Sequence, residues 1–333
     1  MDFSGDGSAD LLSTTASGEL RYFPNNGASN AGGNPFNQYQ VTGSGWETAT
    51  RVLEGDISGD GSMDLLSTTA SGELRYFPNN GSSNAGGNPF NEYIVTGSGW
   101  GPEVTRMFLA DFSGDGSADL LATKKDGTLL WCPNNRATNP GGAPFMTCSV
   151  TGSGWNTANR MFVADFSGDG SADLLATTES GELRYFPNNR STNAGGNPFN
   201  EYQVTGSGWN SANRMFVADF SGDGSADLLS TTASGELRYF PNNGSTNAGH
   251  NPFNDYIVTG SGWNTANRMF VADFSGDGSA DLLSTTASGE LRYFPNNRAT
   301  NPGGAPFNTY QTTGSGWNTA NRIITNTTEQ PTL

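Results

Sequence analysis

The nine-residue string Asp-x-Ser-Gly-Asp-Gly-Ser-x-Asp occurs six times, beginning at Asp2, Asp56, Asp111, Asp165, Asp219 and Asp273. Successive starts lie 54, 55, 54, 54 and 54 residues apart. So regular a period means that one supersecondary unit is repeated and that neighbours bury each other's apolar faces. The 333 residues therefore read as one closed array, residues 1–333, rather than as two unrelated domains.

The fourth copy shows what the unit contains. Residues 160–164 are a short apolar run, and residues 173–178 form a second run after the Asp loop. A tight turn at 179–181 leads into residues 182–186, which begin by alternating polar and apolar. Pro187 opens a long Asn- and Gly-rich loop, residues 201–205 alternate again, and Gly206-Ser207-Gly208-Trp209 ends the unit. Runs of this length and period, punctuated by Gly, Pro and Asn, predict four antiparallel strands, and no helical stripe competes. Six such units predict an all-β fold, a six-bladed β-propeller of four-stranded antiparallel blades. Phe162, Leu174, Leu175 and Tyr185 are its expected core. The first unit lacks an innermost strand, whereas residues 321–325 align with 159–163. A strand over about 321–326 is therefore expected to complete blade one and close the ring.

Each Asp string offers oxygens at alternating positions: Asp, Ser and Asp at one, three and five, a carbonyl and Ser at seven, Asp at nine. The sets are Asp2, Ser4, Asp6, Ser8 and Asp10; Asp56, Ser58, Asp60, Ser62 and Asp64; Asp111, Ser113, Asp115, Ser117 and Asp119. They continue with Asp165, Ser167, Asp169, Ser171 and Asp173; Asp219, Ser221, Asp223, Ser225 and Asp227; Asp273, Ser275, Asp277, Ser279 and Asp281. Hard oxygen donors around a Gly-hinged turn suit Ca2+, which gives about six sites. The loop is not an EF-hand, because position twelve is Ala176 rather than Glu and strands flank it. The competing reading is an Asp-Gly turn whose carboxylates bond only backbone amides.

These loops also explain the charge. They hold 18 of the 32 acidic residues, and six Ca2+ would bring the formal charge from -16 to about -4. An acidic chain is a poor match for nucleic-acid phosphates or anionic lipid. No stretch is apolar for long enough to insert in a membrane, and no signal peptide follows Met1. Action outside the cell or at its surface is expected, with a leaderless or cytoplasmically stored protein as the corollary. The two cysteines, Cys132 and Cys148, replace Phe186 and Tyr202 of the fourth copy on neighbouring strands. A disulfide within the blade, two buried thiols, or an exposed thiol linking subunits all fit the sequence.

The Asp-x-Ser-Gly-Asp-Gly-Ser-x-Asp-Leu-Leu string resembles the calcium repeats of integrin-α-type (FG-GAP/VCBS) propellers, over essentially the whole chain. A chain made only of near-identical blades is similar to fungal propeller lectins of the oyster mushroom lectin type. That resemblance implies calcium-dependent binding of galactose and N-acetylgalactosamine, with glycans or glycoproteins as partners. The loop is specific for fold and metal and weak for function.

A sugar site is expected at the connections between blades. Trp155, Asn156 and Asn159 recur as Trp209, Asn210 and Asn213, as Trp263, Asn264 and Asn267, and as Trp317, Asn318 and Asn321. An indole stacks on the apolar face of a sugar, and amides bond hydroxyls as donor and acceptor. The plainer alternative has the Trp packing between blades and the Asn shaping a turn. The connections after Trp46 and Trp100 keep the Trp and an Arg but lose the Asn pair, so four junctions are expected to bind and two are not. The long Asn-Gly loops are the rival site, and the single histidine, His250, occurs in one copy only and reads as drift. Repeated sites favour a multivalent lectin over an adhesive or protein-interaction propeller or an accessory glycan-binding module. One histidine and no singular residue set argue against an enzyme. Homo-oligomerisation is left open.

Overall fold

The computed structural model describes residues 1–26, 34–80, 87–135, 142–189, 197–244, 251–297 and 304–324. It contains six four-stranded antiparallel sheets. Blade four comprises Ala158–Ala164, Asp173–Thr178, Leu183–Phe186 and Gln203–Gly206, in that order from the inside of the ring outward. The expected strands are all present, shifted by one to two residues at their ends. The fold is the expected six-bladed propeller.

The period-two pattern explains why the blades stack. Leu174 and Leu175 are adjacent in one strand, so they point to opposite faces of the sheet. Leu174 packs with Phe108, Leu121 and Trp155 of the preceding blade, whereas Leu175 packs with Met215 and Leu228 of the following one. Both leucines, Phe162 and Tyr185 are buried as expected. Six apolar clusters result, each shared by two neighbouring blades. The core therefore lies between blades rather than within any one of them.

Closure follows the expected route. Arg322–Ile324 pairs antiparallel with Leu11–Thr14, with Leu12 opposite Ile324 and Thr14 opposite Arg322. Residues 325 and 326 of the expected closing strand lie outside the described residues, as does His250. Met1, Leu11 and Phe36 of blade one share a cluster with Phe270, Leu283 and Trp317 of blade six. Cys132 and Cys148 are joined to each other within blade three, which settles the pairing as intra-blade. Among the described residues no helix is long and apolar enough to cross a membrane.

Ring closure puts unusual weight on a three-residue strand. Ile324 is buried, whereas its neighbour Ile323 is only half-buried. Ile324→Ala is expected to cost about 2–5 kcal/mol in urea unfolding, the usual range for a buried Ile truncated to Ala. Ile323→Ala is expected to cost less, and equal costs would contradict this account of closure.

Candidate functional site

The Asp loops fold around their own carboxylates. In the fourth copy Asp165 Oδ1 accepts from the Gly168 amide at 2.6 Å, the Asp169 amide at 3.2 Å and the Ser167 hydroxyl at 3.2 Å. Its Oδ2 accepts from the Gly170 amide at 2.7 Å, and Asp169 Oδ1 from the Ser171 amide at 2.8 Å. The ninth-position Asp173 faces inward. It accepts from the Phe166 and Ser167 amides at 3.0 Å, the Asn188 amide at 2.6 Å and the Tyr185 hydroxyl at 3.1 Å. Asp10, Asp64, Asp227 and Asp281 repeat this arrangement, and Asp119 repeats its amide part. Asn188 Nδ2 then donates to Phe112 O of blade three and to Ala172 O of its own loop, tying the two blades together.

The three carboxylates of a copy are thus not drawn into a cage. Among the described residues no group of three or more His, Cys, Asp or Glu side chains is arranged to hold a metal ion. The ninth Asp, expected among the ligands, also staples the loop to the blade through amides. What does fit calcium is the donor chemistry, because the first and fifth Asp and the third Ser still present oxygens in one turn. Charge balance also fits. Burial pushes Asp10, Asp119, Asp173, Asp227 and Asp281 up to about 7 and Asp64 up to about 6. The amide bonds pull these values down, and the neighbouring loop carboxylates push them up further.

A second set of sites lies between the blades. The Trp of each connection reaches across to the next blade. Trp209 lies 4.8 Å from Phe240 between ring centres, and Phe240 lies 5.3 Å from Tyr256. The Arg238 guanidinium sits 4.7 Å above the Tyr256 ring and bonds Glu236 at 2.7 Å. This Trp–Phe–Tyr staircase capped by an Arg–Glu pair recurs four more times. The sets are Trp317, Phe23, Tyr39, Arg21 and Glu19; and Trp46, Phe77, Tyr93, Arg75 and Glu73. They continue with Trp155, Phe186, Tyr202, Arg184 and Glu182; and Trp263, Phe294, Tyr310, Arg292 and Glu290. Gly206 makes this possible locally, because a Cβ there would lie 2.7 Å from the Trp209 indole nitrogen.

Three of these seams hold half-open cavities of about 260, 270 and 290 Å3, just below the usual range of about 300–1,000 Å3 for small-molecule sites. The middle one is walled by Trp209, Phe240, Tyr256 and Arg238, with Asn251 and Asn254 at its rim. Trp155 and Trp263 line the other two. The remaining expected Trp, Trp317, stands in the fifth staircase.

The predicted asparagines are elsewhere. Asn156, Asn210, Asn264 and Asn318 fit over the turn glycines Gly127, Gly181, Gly235 and Gly289 of their own blades. Asn159, Asn213, Asn267 and Asn321 stand exposed on the connection face, and the first three accept an Arg from the preceding blade on their backbone carbonyls. None of the eight lines the three cavities. The connection arginines, such as Arg160 on Ala212 O and Asn213 O, bridge blades. Sequence reading missed the Phe, Tyr and Arg of the next blade. The signal was there: Cys132 and Cys148 replace one such Phe and Tyr together.

The buried ninth carboxylates generate a pH prediction. Their folded pKa values of about 6 to 7 exceed the unfolded value of about 4, so ionising them opposes folding. That penalty is absent below about pH 4 and grows until the pH passes about 7. In EDTA the melting temperature is expected to fall between pH 5 and pH 7.5. A rise over that window would mean that the amide bonds outweigh burial.

Comparison with known proteins bears on the fold. No curated protein matches the chain. A solved structure of a lectin from Agrocybe aegerita, described as recognising non-reducing terminal N-acetylglucosamine, aligns with a TM-score of 0.65 and 21% identity over 97% of this chain and 82% of that one. A crystal structure of BBS1N in complex with ARL6DN, soaked with mercury, aligns at 11% identity and a TM-score of 0.44 over 92% of this chain and 77% of that one. Its lead-soaked counterpart gives 10%, 0.45, 94% and 80%. The FG-GAP-like repeat pattern matches residues 2–67, 56–122, 165–230 and 219–284, more than half of the chain. With six Asp loops, each leading into the second strand of a blade, this protein belongs to the FG-GAP-like repeat family.

Proposed function

We propose that this protein is a multivalent, non-catalytic carbohydrate-binding propeller whose sites are the seams between blades. The observation that carries the reading is the aromatic staircase, repeated five times and lining a cavity at three of those seams. Phe and Trp rings offer an apolar wall for the C–H face of a pyranose, while Arg, Asn and backbone groups at the rim bond its hydroxyls. Each rim Arg is already paired with a Glu at 2.7 to 3.0 Å, which removes the free positive charge that an acidic sugar would need. The ligand class is therefore a neutral terminal sugar. Galactose and N-acetylgalactosamine come from the resemblance to mushroom propeller lectins, and N-acetylglucosamine from the Agrocybe aegerita structure, so a terminal N-acetylhexosamine satisfies most of these indications. Equivalent sites on one rigid ring convert weak single contacts into avidity. Repetition also speaks against an enzyme, whose acid and base are normally unique.

A glycan array and an erythrocyte agglutination assay test this reading. Binding to glycans ending in neutral N-acetylhexosamine or galactose, inhibited by the free sugar and lost on capping with sialic acid, is expected. An array blank in millimolar Ca2+ would sink it.

Calcium enters the proposal as a structural ion. The first and fifth Asp and the third Ser of each loop would hold it, and its charge would relieve the crowded carboxylates. At pH 7.5, millimolar Ca2+ is expected to raise the melting temperature by several degrees over EDTA, since a ligand that binds only the folded chain stabilises it by about 2.7 kcal/mol at a hundred times its Kd. An unchanged melting curve would leave the loops as amide-bonded turns.

A further inference from the structure

We propose that the ring carries five sugar sites rather than six, and that the seam between blades two and three is closed. The inference rests on the seam reading above and concerns which seams can act. Both walls of this seam are altered. On the blade-three side Thr128, Leu130, Cys132, Met146 and Cys148 stand where blade four has Glu182, Arg184, Phe186, Asn200 and Tyr202. The Arg–Glu pair, the Phe and the Tyr are all gone from one place. On the blade-two side the connection Trp100-Gly101-Pro102-Glu103 carries an extra residue. The single 3-10 turn that starts at the Trp in the five other connections is missing after Trp100.

What replaces the rings is visible. Trp100 packs into an apolar cluster together with Cys132, Cys148 and Phe145. The disulfide occupies the position of the stacked Phe and Tyr rings, and Cys132 is fully buried. A disulfide has no aromatic face and Leu130 has no donor, so the blade-three wall keeps neither the exposed Tyr ring nor the Arg, and half-buried Trp100 has no Phe–Tyr partner across the seam. In the other blades the outer Tyr is 40 to 46% exposed. The turn beside this seam also changes from the Thr-x-Ser-Gly pattern to Lys124-Lys125-Asp126-Gly127. Changes on both walls of one seam, with five seams intact, point to a single seat exchanged for a covalent brace. The count differs from that given by the Asn pairs, which would leave four binding junctions.

The experiment is a count of occupied seams. Crystals of the full chain are soaked separately in N-acetylglucosamine and N-acetylgalactosamine, and saturation stoichiometry is measured in solution with the same two sugars. Sugar at five seams, with the blade two–three seam empty, is the expected result. Sugar at six seams, or at the four Asn-bearing junctions only, overturns the inference while leaving the seam reading standing. Sugar bound away from the seams, or nowhere, overturns both. A variant that copies blade three into blade five, Phe240→Cys with Tyr256→Cys, is expected to lower the count from five to four. Retention of five sites in that variant would overturn the assignment of the rings, and if it does not fold the wild-type count still decides.

Discussion

The ninth-position carboxylate is the interaction on which each blade depends. Asp173 is buried and accepts four hydrogen bonds, from two amides of its own loop, the Asn188 amide and the Tyr185 hydroxyl. One side chain therefore fixes the loop between the first two strands, the third strand and the start of the long connection. Asn188 carries the constraint onward by bonding the loop of the preceding blade. Burying a carboxylate is costly unless it is this well satisfied, and the elevated pKa shows that part of the cost remains. A divalent cation in the same loop would act on that residue of unfavourable charge.

Around these staples, the blades associate through a division of labour between faces. Neighbouring leucines in one strand serve opposite neighbours, so no blade has a complete core alone. This explains why closure matters and why Arg322–Ile324, at the far end of the chain, belongs to blade one. It also places the aromatic staircases. A Trp that ends one blade must land on the next, and where a Phe meets it the two rings wall a groove open at its outer end.

Much of this was legible in the sequence. The number of blades, the strand sequence within a blade, the closing strand and the core leucines follow from period, alternation and turn residues, all of which are local. The intra-blade pairing of Cys132 and Cys148 was one of several readings. The metal loops were legible as oxygen-rich turns, but not the direction in which Asp173 points, because that depends on Tyr185 and Asn188, 12 and 15 residues away. The Trp was correctly singled out, and its Asn neighbours were given a ligand-facing role. They pack on turn glycines or face outward, since a short connection fixes where they can reach.

The sequence by itself determined that this chain is a ring of six β-blades, because a two-residue alternation and a 54-residue period leave a strand no other way to bury both faces. Only the tertiary structure decided where a ligand could sit. The wall of each seam combines a Trp from one blade with a Phe, a Tyr and an Arg from the next, 29 to 47 residues further along in the case of Trp209. No window of sequence holds that set together; packing of one blade against another does.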